Sequence, residues 1–289
     1  MYSLPLDDTI AGPANSHAPA TSRPWRLLSL LVVLLGFLGL AGCRTANDVT
    51  GSIGAAAPPL PASEAGVQDY TDSWGKRYDA NPTNRNAALA YARGLRAQGR
   101  TAQAVAVLQA ATLKAPTDME LIGALGKALA DAGRLREAAE MLTRAHTPER
   151  PSWSVLSAQG AVADQLSDHE GAQRYYEAAL KIMPSEPTVM SNLGLSYALS
   201  KDLVQAETTL RAAAAHPQAD KRVRQNFALV LALQGKFAEA EEVSRRDLAA
   251  PEAAANVAAI RAMIAQSNTW RDIQKPRGTA DQHVANAAK

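Results

Sequence analysis

Residues 192–210 read Asn-Leu-Gly-Leu-Ser-Tyr-Ala-Leu-Ser-Lys-Asp-Leu-Val-Gln-Ala-Glu-Thr-Thr-Leu. Within this stretch Gly194 and Ala206 stand twelve residues apart, and the same pair of tiny residues returns along the chain. Ala104, Ala138, Ala172, Ala206 and Ala240 each follow the last by 34 residues. Twelve residues before them lie Ala92, Gly126, Gly160, Gly194 and Ala228. Seven residues after them lie Ala111, Ala145, Ala179 and Ala213, and only the fifth copy departs, with Asp247. Close packing explains such a ladder. Two antiparallel helices approach tightly only where they cross on Ala or Gly, so size is restricted there while neighbouring positions carry the bulk.

A 34-residue period with small residues at these offsets resembles the tetratricopeptide repeat (TPR), a helix-turn-helix unit that stacks into a solenoid. The resemblance implies an all-α superhelical solenoid of about five repeats, at 85–118, 119–152, 153–186, 187–220 and 221–254. Composition agrees. Apolar residues make up 47% of the 289 but aromatics only 5%, so alanine carries much of the apolar share, which suits helix pairs better than sheets. Net charge is +2 with both signs interspersed, unlike the basic footprint of a nucleic-acid binder.

The amino terminus reads as an address. Arg23 and Arg26 precede a run, Leu27 to Leu40, that is apolar but for Ser29 and leads into Leu40-Ala41-Gly42-Cys43. A basic flank, a short apolar core and small residues before a cleavage point describe a secretory signal, expected over 1–42. The run falls short of the roughly 20 residues of a membrane span. Leu-Ala-Gly-Cys resembles the bacterial lipobox, which implies a covalent lipid on Cys43. A signal anchor or an ordinary signal peptide with a coincidental cysteine is the alternative. Cys43 is the single cysteine, so neither a disulfide framework nor a cysteine-based zinc site is available. Arg44 follows it; by resemblance to the enterobacterial sorting rule, the absence of Asp there implies the outer membrane.

Residues 43–66 are rich in Gly, Ala, Ser and Pro, as in a flexible tether. From Val67 the pattern changes, and 67–84 reads as a half-repeat helix covering the first full repeat. The exit of repeat two, His146 to Pro151, is dense in proline and charge, and a distorted hand-over is expected there. After Asp247, Val257, Ile260, Met263 and Ile264 fall at helical spacing in a capping helix, 255–270. Residues 271–289 are polar and read as a disordered tail.

No catalytic constellation is found. The five histidines are scattered, and no H-E-x-x-H, Gly-rich phosphate loop, G-x-S-x-G or C-x-x-C occurs. The chain is expected not to be an enzyme, and to need no cofactor or metal beyond the lipid on Cys43. Function should lie on the concave surface formed by the first helices. Inward offsets give a charged half with Arg93, Arg96, Lys127 and Asp131. In repeats four and five they give Asn192, Leu195, Leu199, Arg222, Asn226, Leu229 and Leu233, where asparagines could bond an extended peptide and leucines supply apolar pockets. The alternative is that Leu195 and Leu229 pack against neighbouring helices.

Lipobox, tether, about five repeats, the stretch Arg224–Glu241 and the tail from Ala254 through Asn256 and Asn268 to Trp270 together resemble the TadD-type lipoproteins of Flp/Tad pilus assembly. That resemblance implies an outer-membrane adaptor facing the periplasm, whose partners are protein segments of pilus or secretion machinery such as a secretin, with no catalytic residues and no nucleic acid. A pilotin, an accessory of outer-membrane assembly and a regulator of cell-wall enzymes are the alternatives.

Overall fold

The computed structural model describes residues 58–274, with side chains up to residue 266. The signal segment, Cys43, most of the tether and residues 275–289 lie outside the described residues. Among those described, twelve helices follow one another. α1 is Glu64–Ala80. Five pairs follow: α2 (Arg85–Ala97) with α3 (Thr101–Lys114), α4 (Met119–Asp131) with α5 (Leu135–Arg144), α6 (Trp153–Gln165) with α7 (His169–Ile182), α8 (Pro187–Leu199) with α9 (Leu203–Ala215), and α10 (Lys221–Leu233) with α11 (Phe237–Ser244). α12, Ala250–Gln274, closes the series.

Local chemistry starts most of these helices. The side chains of Asn84, Asp118, Asp168, Asp202 and Asp220 accept backbone N–H bonds in the first turns of α2, α4, α7, α9 and α10, satisfying donors that have no partner inside a helix. Glu186 caps α8, where Pro187 supplies a preset φ at the first helical position. α1 begins at Glu64, three residues before the half-repeat expected from 67. The cause is Ser63, whose hydroxyl accepts the Gly66 N–H at 3.1 Å. Within each pair, one residue turns the chain through a left-handed conformation: Gly99, Gly133, Ser167, Lys201 and Gly235, with φ between 66 and 80°. Glycine adopts this geometry freely, whereas Ser167 and Lys201 hold it against the clash of their Cβ atoms.

The ladder residues form the crossing line of each pair. Ala104, Ala138, Ala172, Ala206 and Ala240 are all fully buried. Their glycine counterparts sit under large side chains. A Cβ on Gly126 would lie 2.7 Å from Leu142 Cγ, and one on Gly194 would lie 2.6 Å from Leu210 Cγ. The buried Leu142 and Leu210 fill the space the missing methyls leave, each burial being worth about 1.5–3 kcal/mol. Repeats also bury residues against one another. One core runs from Ala88 to Val162, a second from Leu156 to Leu193, and a third from Ala206 to Val257.

Both ends are covered. α1 buries Val67, Tyr70 and Thr71, and α1 and α2 touch closely where a Cβ on Gly94 would meet Thr71 Oγ1 at 2.4 Å. At the far end, α12 buries Ala253 and Val257, with Ile260 packed on the third core. This helix begins five residues before the expected capping segment and runs to Gln274, four residues into the stretch read as disordered tail.

Between α5 and α6 the proline-rich exit makes an irregular link. α5 has 10 residues where α3 has 14, and Thr147 and Arg150 pair as an antiparallel bridge, Arg150 N donating to Thr147 O at 3.0 Å. α6 nevertheless starts 34 residues after α4.

Candidate functional site

α4 contacts both α2 and α6 directly, beside the pairing of each with its second helix. Between them opens a cavity of about 500 Å³. Arg93 and Arg96 from α2, Lys127 from α4 and Arg85 from the first turn of α2 line it, and the link after α5 adds Arg150 as part of its wall. Leu89, Ala92, Ala124 and Val155 give an apolar floor.

Ion pairs between repeats organise this cavity. Arg96 Nε donates to Asp131 Oδ2 at 2.6 Å, with both side chains more than four-fifths buried. Arg85 donates to Asp118 through Nε at 2.5 Å and to Glu120. Burial pushes the Asp118 carboxyl up, but Arg85 and the N–H groups of Leu121 and Glu120 outweigh it and hold the group below the usual carboxylate range. Asp118 therefore does two jobs, capping α4 and tying it to α2. Lys127 Nζ donates to Ser154 Oγ at 3.3 Å, which joins α4 to α6. Arg93 lies beside Tyr70, whose phenol is pushed up by burial and drawn back by the Arg93 charge. Among the described residues neither Arg93 nor Arg150 forms an ion pair.

The four residues read from sequence as a charged half are thus brought together: Arg93, Arg96 and Lys127 line the cavity, and Asp131 pairs with Arg96. Arg85, Asp118, Glu120, Arg150 and Ser154 were missed. The signal for Arg150 was present in the charge of the 146–151 exit, which reads as distortion when taken alone. Arg85 and Asp118 flank the inward offsets, one at each repeat boundary.

The residues proposed in repeats four and five are arranged differently. Asn226 Nδ2 donates to Ser191 Oγ at 3.0 Å, and Ser191 is fully buried. The carboxamide therefore bridges α8 to α10, leaving only part of its bonding capacity for a ligand. Leu195 packs against the third core, as the packing alternative has it. Asn192, Leu199, Arg222 and Leu229 are half-buried, and Leu233 is 37% exposed.

A second polar cluster lies in the middle of the solenoid. Asp164 at the end of α6 accepts from His169 Nδ1 at 2.9 Å, Ser196 Oγ at 2.8 Å and Tyr176 OH at 3.1 Å. Burial pushes the Asp164 carboxyl up despite these donors. Ser, His and Asp meet here without the order that activates a nucleophile, because serine and histidine both bond the same carboxylate and no ring nitrogen receives the serine proton. Ser196 is also fully buried. The cluster locks α6 and α7 to α8. No group of three or more metal-ligating side chains occurs among the described residues, and none of their helices is long and apolar enough to cross a membrane.

Paired helices, a left-handed turn in each repeat and small-residue crossings define an all-α TPR superhelix, and repeats of this class suggest a scaffold for protein–protein interaction. Residues 95–159 match the tetratricopeptide repeat family model. Among curated proteins none matches the chain. Solved structures share the fold. The APC/C hetero-tetramer Cut9–Hcn1 aligns with a TM-score of 0.55 at 18% identity, over 66% of this chain and 39% of that one. The human IFIT1 dimer with m7Gppp-AAAA aligns with a TM-score of 0.56 at 15% identity, over 64% of this chain and 46% of that one. The chain thus spans less than half the length of either. YrrB, described as a TPR protein with an unusual peptide-binding site, aligns at 0.44 with 15% identity, over 63% of this chain and 98% of that one.

Proposed function

We propose that the chain is a non-enzymatic adaptor that grips a protein segment in its concave groove while a lipid on Cys43 holds it at a bacterial outer membrane, in the assembly of Flp/Tad pilus or secretion machinery. The observation that carries the gripping role is the cavity across α2, α4 and α6, where apolar floor and polar wall converge on a space of about 500 Å³, within the range of ligand-binding clefts. The anchoring role is supported by Leu40-Ala41-Gly42-Cys43 after the apolar run. Two or more acyl chains hold a protein stably at a bilayer, each buried CH2 adding about 0.8 kcal/mol. The pilus setting rests on the TadD-type resemblance, with a secretin or another channel component as the partner.

Two experiments test this reading. Cys43→Ser should move the protein from the membrane fraction to the soluble one; persistent membrane association refutes the lipid anchor. A photo-crosslinking residue placed at Ala124, on the cavity floor, should capture a pilus or secretion component in intact cells. Crosslinks to a cell-wall hydrolase instead would replace the pilus reading with regulation of cell-wall enzymes.

A further inference from the structure

The charge in the cavity points to the chemistry of its occupant. Five cationic side chains line it, Arg85, Arg93, Arg96, Lys127 and Arg150, against two carboxylates, Asp118 and Glu120. Asp131 pairs with Arg96 from the edge. Those carboxylates are committed to Arg85 and Arg96, while Arg93 and Arg150 face the cavity with no ion pair among the described residues. The surplus is local, for the whole chain carries only +2. Arg93 and Arg150, one on a helix and one on the irregular link, line the cavity, and each guanidinium offers paired donors suited to carboxylates. The floor between them is aliphatic, and no aromatic side chain lines the cavity. Single-stranded nucleic acid is held chiefly by stacking its bases on aromatic side chains, which this lining lacks.

Resting on the reading of the groove as a protein-binding surface, we infer that its ligand is an extended segment with at least two Asp or Glu side chains, seated across repeats one and two and held by Arg93 and Arg150. The apolar floor takes the aliphatic stems or small residues between the acids. The ion pairs of Arg85 and Arg96 keep the walls in place before binding, so the ligand meets a prearranged site. On this inference the 146–151 link is part of the site, and its proline content fixes the wall on which Arg150 stands.

The test uses the full chain purified in detergent, with fluorescence anisotropy of three labelled probes: a twelve-residue peptide carrying four Asp or Glu, the same peptide with Asn and Gln in their place, and an oligouridylate of equal charge. The acidic peptide should bind, its amide counterpart should bind at least tenfold more weakly, and the oligonucleotide should bind more weakly than the acidic peptide. Arg93→Gln with Arg150→Gln should weaken the acidic peptide by about tenfold or more, as expected for lost bonds between charged groups. Both positions lie outside the ion-pair network, but Arg93 also meets the Tyr70 phenol, so unchanged helicity is the folding control for the double variant. Arg150→Gln alone should weaken the acidic peptide with the urea midpoint unchanged. Equal binding of acidic and amide peptides, tighter binding of the oligonucleotide, or undiminished binding by the double variant each overturns the inference. Failure here is distinct from failure of the adaptor reading. If the double variant still crosslinks its cellular partner through the Ala124 probe while showing no acidic preference, the adaptor reading stands and the acidic ligand falls.

Discussion

Gly160 on α6 lies under the ring of Tyr176 on α7, and an alanine there is expected to destabilise the fold by about 2 kcal/mol. A Cβ at this position would lie 2.6 Å from Tyr176 Cε1, 2.8 Å from Cζ and 2.9 Å from Cδ1. Ordinary carbon contacts begin near 3.5 Å, so the ring must retreat by about 1 Å. It has little room, since Tyr176 is only 2% exposed. Its hydroxyl is also tethered, donating to Asp164 Oδ2 at 3.1 Å. Overpacking costs about 1–3 kcal/mol, and weakening a buried hydrogen bond costs about 1 more. Alanine returns about 1 kcal/mol through its better helix propensity. The net falls near 2 kcal/mol, or a melting temperature about 4–8 °C lower for a fold of this size. Urea unfolding followed by helical circular dichroism measures it. A cycle with Tyr176→Phe isolates the tether: without the hydroxyl the ring can shift, and Gly160→Ala should cost about 1 kcal/mol less. A Gly160→Ala variant as stable as the parent refutes the packing argument, and an unchanged cost in the Tyr176→Phe background refutes the tether.

Further perturbations test other joints. Asp247→Ala would complete the alanine ladder, yet it should destabilise by about 1–2 kcal/mol, because Asp247 accepts two bonds from Arg224, at 2.7 and 2.5 Å, and its loss strands a largely buried guanidinium; a gain in urea midpoint would contradict this. Lys201→Gly and Ser167→Gly, at φ of 70 and 66°, should each raise stability by about 0.5–1 kcal/mol, the relief of left-handed strain exceeding the extra freedom of glycine in the unfolded chain, whereas Gly235→Ala should lower the urea midpoint. Lys236 and Arg211 draw the Glu207 carboxyl down from 4.5 to about 2. Because its folded-state pKa is depressed, its contribution is whole above about pH 4.5 and is lost as pH falls towards 2. Glu207→Gln should therefore be less stable than the parent at pH 7 and converge with it near pH 2; parallel pH profiles would argue against that pairing.

The fold was legible because the constraint that makes it is local in form. A helix crossing demands a tiny residue, and the demand returns at the same offset in Ala104, Ala138, Ala172, Ala206 and Ala240 whatever surrounds them. The site was legible only in part. Inward offsets select Arg93, Arg96 and Lys127, since side-chain direction on a helix follows from position alone. What the offsets cannot carry is pairing between repeats. Asn226 looks like a groove residue until Ser191, 35 positions earlier, takes its N–H. Asp247 looks like a lapse in the ladder until Arg224 is placed against it. Arg150 enters the cavity from an irregular link, where no helical offset applies.

The substantial helix contacts join neighbours one or two places apart along the chain. A nascent chain emerging from one end therefore never has to wait for a distant partner. Once α1 and α2 have met, each new helix finds its whole docking surface already built, and closing each joint restricts only a few tens of residues. Growth of the solenoid can keep pace with delivery of the polypeptide, and the unburied edge moves forward with each added pair until α12 covers it.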